Sequence, residues 1–262
     1  VADDDNAAFI ATGLEKFSVR TTGGTADNAA EVDLEMGDVV GLTDVIFRRI
    51  NDDIKLDNLQ SLSTTISVEK VSTAADMTVN FEASQVSGSA DTANLNITSS
   101  TGGSDLVING VETIAITATG DDNDLNIDGD KLSTVTIAGT GDWSGDFDAS
   151  VKTITATNTG GISVNFTGAA NTTLTGSAAA DTLNYLATLT KNDTVDGGAG
   201  TDVLSVGDLA TLLASGVGSN VTNVETIKID STDDAAADTW TLDADQISGI
   251  TKIIVDATDD ED

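Results

Sequence analysis

The sequence predicts an all-β chain that winds into an elongated parallel β-helix, also called a β-solenoid. Three observations support this prediction: a short strand unit recurs along the chain, its central copies lie about 20 residues apart, and the 262 residues include 25 glycines and no proline. A coil of about 20 residues is typical of a β-solenoid. Proline could not donate the hydrogen bonds between coils, and glycine provides the corners that need positive φ.

The first repeated unit is a six-residue segment in which apolar and polar residues alternate, as in a strand with one buried side. Its clearest copies are residues 14–19, 111–116 and 224–229, and its looser copies are residues 132–137, 151–156 and 250–255. One coil cannot bury its apolar side alone. A stack of coils, however, forms a continuous core of Val, Ile and Leu, with Thr, Asn and Asp outside.

A second repeated unit precedes several of these strands. It consists of an apolar residue, an acid, a small residue and a polar stretch that leads to another apolar residue. Residues 242–249 are the clearest copy, and residues 81–88 and 127–133 resemble them. Residues 34–47 also match residues 242–255 in register, so we interpret the two ends of the chain as copies of one longer block.

The regularity of the repeats divides the chain into two predicted regions. Residues 91–262 are expected to form the β-solenoid-like domain, and residues 1–90 a β-rich N-terminal region that is partly irregular. Residues 39–50 fit a helix as well as two strands, and residues 209–214, behind the N-cap candidate Asp208, are a second candidate helix. The alternative architecture is an antiparallel Greek-key sandwich, which also has short, Thr-rich strands.

The composition excludes several classes of function. The chain has 44 acidic and 11 basic residues, no histidine and no cysteine, and its net charge is −33. Nucleophiles paired with histidine, zinc sites built on His or Cys, and disulfides are therefore excluded. So negative a surface repels nucleic acid and anionic lipid but attracts multivalent cations. With 39% hydrophobic residues the chain should nonetheless fold, and it offers no segment apolar enough to cross a membrane.

The sharpest motif in the chain is Gly-Gly-Ala-Gly-Thr-Asp-Val-Leu-Ser at residues 197–205. It satisfies the nonapeptide G-G-x-G-x-D-x-U-x, in which U is a large aliphatic residue. Gly197, Gly198 and Gly200 let the backbone turn so that carbonyl groups point inward, and Asp202 supplies an anionic oxygen. Because Ca²⁺ takes six to eight oxygen ligands in flexible geometry, we expect a short calcium-binding β-roll turn here.

Two more Asp-containing units extend this predicted site over residues 176–205. Asp193 lies nine residues before Asp202, and Asp181 lies twelve residues before Asp193. Neighbouring turns could then hold one Ca²⁺ between Asp193 and Asp202, whereas the glycine-poor unit at Asp181 would bind weakly or not at all. The predicted metal-site residues are Asp181, Asp193, Asp196, Gly197, Gly198, Gly200 and Asp202. The alternative is a Gly-Asp turn of a plain solenoid that binds no ion.

Two other acidic clusters have two interpretations each. In residues 142–148, three acids surround Trp143 and Phe147, which would suit a glycosidase pair or a sugar-binding platform. We favour a corner turn whose acids face outward. The acids of residues 121–130 either bind a second Ca²⁺ or are solvated loop residues.

The nonapeptide, together with the repeated V-E-T-I and L-D-A-D units, resembles calcium-binding RTX proteins, and more closely the self-assembling surface-layer (S-layer) proteins of Gram-negative bacteria. The resemblance implies a secreted chain without cysteines that folds when it meets extracellular Ca²⁺ and tiles into a lattice at the cell surface. This chain departs from RTX toxins and proteases in having one complete nonapeptide instead of an array.

We therefore expect an extracellular, calcium-stabilised structural protein whose main partner is another copy of itself, in a lattice or a filament. A cell-surface polysaccharide is a further candidate partner, whereas nucleic acid binding and membrane insertion are not expected. The alternative function is that of an adhesin or phage fibre domain which binds a glycan or a receptor. An enzyme such as a polysaccharide lyase is disfavoured, because the chain lacks histidine and has few Lys and Arg residues.

Overall fold

The described part of the chain is all-β and winds into a parallel β-solenoid, as the repeats predict. The computed structural model describes residues 7–21, 32–72, 75–147, 149–166, 171–186, 188–207, 217–231, 247 and 249–257. Apart from one 3-10 turn at Gly218–Asn220, the regular elements of these residues are strands.

Over residues 7–222, each coil places one strand in each of two walls that pack against each other. Wall 1 contains β1 (Ala7–Thr12), β3 (Val32–Val40), β5 (Ile54–Leu59), β7 (Met77–Phe81), β9 (Ser104–Asn109), β11 (Leu125–Asp128), β13 (Trp143–Asp146), β15 (Ile162–Asn165), β17 (Thr182–Leu186), β19 (Val203–Val206), β21 (Thr226–Ser231) and β22 (Lys252–Ala257). Wall 2 contains β2 (Lys16–Val19), β4 (Asp44–Arg48), β6 (Thr65–Glu69), β8 (Thr92–Thr98), β10 (Thr113–Thr119), β12 (Thr134–Gly139), β14 (Thr153–Ala156), β16 (Thr173–Thr175), β18 (Thr194–Asp196) and β20 (Val221–Thr222).

The two walls differ in continuity. Wall 2 is a single ten-stranded sheet, whereas wall 1 consists of two six-stranded sheets. Isolated bridges from Asp124 to Ser144 and from Ile127 to Phe147 join β11 to β13 and so connect those two sheets. Wall 1 therefore runs as one stack from β1 to β22.

The central coils show how the repeated strand unit works. Ile114 on β10 pairs with Val135 on β12, which pairs with Ile154 on β14, and all three side chains are buried. The threonines on either side of them point outward. The predicted coil length of about 20 residues is thereby confirmed.

The core lies between the walls and follows the whole length of the described stack. It is built mainly from Val, Ile and Leu, as the stacked strand units predict. Its largest fully buried side chains are Trp143, Tyr185, Phe47 and Met36.

The second repeated unit forms the end of a wall 1 strand and the corner after it. Residues 81–88 connect β7 to β8, and residues 127–133 connect β11 to β12. Most of residues 242–249, the clearest copy in the sequence, lie outside the described residues.

Several open alternatives are settled by the pairing. Every strand pairing is parallel, which excludes the Greek-key sandwich for the described chain. Residues 39–50 contain the end of β3 and all of β4, so the helical alternative is wrong there: Val45 and Phe47 are buried alternately with more exposed neighbours, as in a strand. Residues 209–214 lie outside the described residues.

Two features of the predicted organisation differ in the structure: the boundary at residue 90 and the position of the similar units at the two ends. The stack runs across residue 90, because β6 pairs with β8 and β7 pairs with β9. The similar units 14–19 and 224–229 contribute β2 and β21, which lie in opposite walls. Their common pattern predicts a strand with one buried side, but either wall of the solenoid satisfies that requirement.

Candidate metal centre

The predicted nonapeptide forms the turn between β18 and β19. This turn stacks on the equivalent turn of the preceding coil, because the N–H of Ala199 donates to the carbonyl of Ser177 over 3.1 Å. Gly198 and Gly200 have φ values of +93° and +141°, and a Cβ at either position would lie within 2.4 Å of a backbone oxygen of the coil below. These glycines thus permit both the turn and the close stacking of coils.

Asp202 is the residue of this turn that could bind a cation. Its side chain is fully buried, and its Oδ1 accepts the N–H of Asp181 over 2.8 Å. Its Oδ2 has no hydrogen-bond partner, and it faces the turn so closely that a Cβ at Gly197 would lie 2.7 Å away. A buried carboxylate oxygen without a partner is costly, so this oxygen requires a proton or a cation.

The surroundings of Asp202 favour a positive partner. Burial raises the pKa of Asp202 to about 6, the N–H of Asp181 opposes this rise, and repulsion by Asp181, Glu225 and Asp196 adds to it. Four carboxylates thus influence one another at a single corner of the solenoid. A Ca²⁺ ion at Oδ2 would offset this repulsion, and its high charge density suits carboxylate and carbonyl oxygens.

Asp181 occupies the equivalent position one coil earlier, but its carboxylate is saturated. It accepts the N–H of Ile162 over 2.8 Å, the N–H of Ser177 over 2.6 Å and the hydroxyl of Ser177 over 2.7 Å. Burial raises its pKa, and these hydrogen bonds oppose the rise. The main role of Asp181 is therefore to link neighbouring coils by hydrogen bonds.

Asp193 lies apart from this corner. It precedes β18, whereas Asp202 precedes β19, so the two residues are separated by the length of β18, about 10 Å for three residues. Its carboxylate accepts the N–H and the hydroxyl of Thr172 and the N–H and the hydroxyl of Thr190. The predicted pairing of Asp193 with Asp202 around one ion is not formed, since the intervening strand keeps them at opposite corners.

Asp196 lies on the outer side of β18. Its Oδ1 accepts the N–H of Gly198 over 3.0 Å and the amide of Asn223 over 2.7 Å. Asp196 therefore adds negative electrostatic potential at Asp202 but offers no free buried oxygen to an ion. Of the predicted acidic ligands, Asp202 is therefore the one whose unpartnered oxygen fits an ion.

Glu225 belongs to this corner and was missed by the motif. Its Oε2 accepts the N–H of Asp202 over 2.8 Å. Glu112, the acid of another V-E-T-I unit, accepts the N–H of Asp91 in the same way over 2.9 Å. The shared acid of these units could have indicated the role, because it stands at the same place before a strand in both copies.

The other acidic clusters do not build a site in the described chain. Trp143 and Phe147 stack within the core at 4.5 Å, so neither ring is available to a sugar. Asp146 faces outward as predicted, but on strand β13 rather than in a corner turn, because its neighbours alternate between core and surface. Asp148 lies outside the described residues.

A metal centre of several carboxylates is not formed by the described residues, which contain no group of three or more acidic side chains arranged to hold an ion. This includes the acids of residues 121–130. One free carboxylate oxygen and the surrounding backbone are what the turn at Asp202 offers.

Comparison with protein-family models, curated proteins and solved structures found no match for this chain. Among the described residues, no helix has the length and apolar character needed to cross a bilayer.

Proposed function

We propose that this chain is an extracellular structural protein whose copies assemble end to end through their solenoids, as a calcium-stabilised building block of a surface layer. The observation that supports the proposal is that β1 and β22, the outermost described strands of wall 1, expose apolar side chains.

The end at β22 is open in the described chain. Ile253 and Val255 pair with Ile227 and Ile229 of β21, whose side chains are buried in the core. Ile253 and Val255 continue that inward-facing row, yet they are 44% and 53% exposed. They are placed to be covered by the next coil of a stack.

The end at β1 is open in a similar way. Phe9 and Ile10 are 41% and 82% exposed, and Val40 on the neighbouring strand is also exposed. β1 and β22 both run parallel to their neighbours in wall 1. β22 of one copy can therefore pair with β1 of the next in the same sense, which continues the stack and buries the apolar residues of both ends.

Calcium has two roles in this proposal. A net charge of −33 makes each copy repel the next, and bound Ca²⁺ lowers that repulsion. A Ca²⁺ ion at the free oxygen of Asp202 would also stabilise the folded chain, because any ligand that binds only the folded state does so.

Electron microscopy and size-exclusion chromatography test the assembly, first in EGTA and then in millimolar Ca²⁺, with Mg²⁺ as the control ion. We expect filaments or sheets with Ca²⁺ and smaller species in EGTA. Val255→Lys should prevent assembly by placing a charge in the end contact. Thr182→Lys introduces the same residue at an outward position of β17, which β19 and β21 separate from β22, and should leave assembly intact.

The calcium site is tested separately by the thermal midpoint as Ca²⁺ is titrated. Asp202→Asn should abolish the calcium-dependent rise in the midpoint. Asp121→Asn, which removes the same charge from an exposed position, should preserve it. A folded protein that stays monomeric under all conditions would overturn the assembly and would favour the adhesin alternative.

A further inference from the structure

The outer surface of wall 2 is free of charge over five neighbouring strands, although the molecule is strongly acidic. We call this surface the threonine face. It consists of the outward residues of β8, β10, β12, β14 and β16, which are Thr92, Asn94, Asn96, Thr98, Thr113, Ala115, Thr117, Thr119, Thr134, Thr136, Ala138, Thr153, Thr155, Thr173 and Thr175. Eleven of these fifteen residues are threonine, and none is aromatic.

The threonines are in register from coil to coil. Strand pairing places Thr92, Thr113, Thr134, Thr153, Thr173 and Thr194 in one continuous row. A second row, two residues further along each strand, contains Thr136, Thr155 and Thr175. Three successive coils therefore present the same Thr-x-Thr pair.

This register fixes the spacing of the side chains in two directions. Neighbouring strands lie about 4.8 Å apart, and residues i and i+2 of a parallel strand lie about 6.6 Å apart. Threonine is β-branched and restricted at χ1, so its hydroxyl and methyl groups are held in place on the sheet. The result is a regular grid of threonine side chains, each of which carries one hydroxyl and one methyl group.

The opposite wall does not share this character. Its outer residues include Asp105, Asn126, Asp146 and Asn165, which hydrogen-bond one another through carboxylate and amide groups. Those groups use their hydrogen-bonding capacity within the protein, which on wall 2 is shown for the hydroxyls of Thr98 and Thr119, 2.7 Å apart. The grid of uncharged hydroxyls is thus a property of wall 2.

We propose that the threonine face binds crystalline water, that is, the surface of ice. Water oxygens at the surface of ice repeat in two directions, as the hydroxyl-bearing side chains of the threonine rows do. The threonine hydroxyls donate to and accept from lattice water, and the methyl groups between them occupy the gaps of the lattice. Charged groups would hold water in other orientations, and the face contains none. A neutral polysaccharide fits less well, since the face has no aromatic ring on which a sugar could stack.

The inference does not depend on end-to-end assembly, because the face lies along the side of the stack. The test is therefore made on the wild-type chain and on Val255→Lys, the variant designed to stay unassembled. Both should shape ice crystals, lower the freezing point below the melting point and inhibit the recrystallisation of ice. We expect equal effects of the two proteins on ice, and this expectation stands even if the surface-layer proposal fails.

Thr153→Lys, on β14 between β12 and β16, should lose most of this activity. Thr182→Lys, the same substitution on wall 1, should retain it. If Thr153→Lys alters the circular dichroism spectrum, Thr153→Val takes its place, because valine keeps the shape and strand propensity but removes the hydroxyl; it should show a partial loss.

Three results would overturn the inference. The first is a wild-type chain without effect on ice, and the second is equal loss in Thr153→Lys and Thr182→Lys. The third is a concentration-dependent dimer that Thr153→Lys dissociates, which would mean that a second copy covers the threonine face.

Discussion

Individual acidic side chains hold this solenoid together at its corners. Glu225 accepts the N–H of Asp202, Asp202 accepts that of Asp181, and Asp181 accepts that of Ile162, so three successive contacts link four coils through backbone amides. Hydrogen bonds to charged acceptors are stronger than neutral ones. The acids of this chain are thus structural as well as solubilising.

Asp202 should make stability depend on pH in an unusual direction. Its pKa is raised from 3.8 to about 6 on folding, so the folded chain holds this proton more tightly than the unfolded chain. In EGTA, its contribution to the free energy of unfolding is complete below about pH 4 and is lost as the pH rises through about 6. Asp202→Asn removes this dependence and keeps the oxygen that accepts from Asp181.

Urea denaturation at pH 4.5 and at pH 7 measures this effect. Relative to the wild type, Asp202→Asn should gain stability at the higher pH. The same difference between the two proteins at both pH values would show that Asp202 titrates normally. The pKa of Asp181 is raised in the same direction, so the wild-type slope should not vanish entirely in the variant.

Gly139 should be irreplaceable, unlike Gly13. Gly139 has a φ of +108°, and a Cβ there would lie 2.1 Å from the carbonyl oxygen of Ala118 on the neighbouring coil. Gly13 also has a positive φ, +74°, but a Cβ there would meet nothing within 4 Å. We expect Gly139→Ala to cost about 3–5 kcal/mol and Gly13→Ala about 1 kcal/mol of unfolding free energy. Equal costs in urea denaturation would show that coil spacing does not constrain Gly139.

At the scale of the element, hydrogen bonds between outward side chains link neighbouring strands. On wall 1, the amide of Asn165 donates to Asp146 over 2.6 Å and its oxygen accepts from Asn184 over 2.6 Å. Such ladders connect β13, β15 and β17 and hold the strands in register.

Asn165→Ala should therefore destabilise the protein by about 1–2 kcal/mol, because both neighbours lose a partner. Ser163→Ala, at the other outward position of β15, is the matched control and should change stability by less than about 0.5 kcal/mol. Chemical denaturation measures both. A neutral effect at Asn165 would mean that water replaces the ladder at no cost.

The elements themselves were predictable, and the site was predictable in part. Alternation in residues 111–116 and their spacing from the next copies were enough for strands, coil length and parallel stacking, because these depend on local pattern and repetition. The nonapeptide located the turn at Asp202. Asp202 pairs with Asp181 and Glu225 instead of Asp193 because those three residues lie at the same corner of the solenoid. The sequence does not indicate the corner, since units of similar sequence lie in either wall.

On the scale of the whole molecule, charge opposes the compact state. The net charge of the chain is −33, and its self-repulsion is screened by salt over about 8–10 Å at moderate ionic strength. We expect the thermal midpoint in EGTA to rise by several degrees between low salt and about 0.5 M NaCl. Sodium chloride is preferred to sulfate, which also strengthens apolar burial. A midpoint that falls or stays constant would show that local carboxylate contacts, not the overall charge, limit stability.

The parallel pairing of all strands gives the stack a direction. β1 and β22 are different surfaces, so in the end-to-end assembly that we propose each contact would join unlike patches and the stack would continue as an open filament. Such a fibre would have two chemically distinct tips, and subunits would add to them at different rates. A short stretch of soluble chain that covers only β22 would then block growth at one tip and leave the other free to elongate.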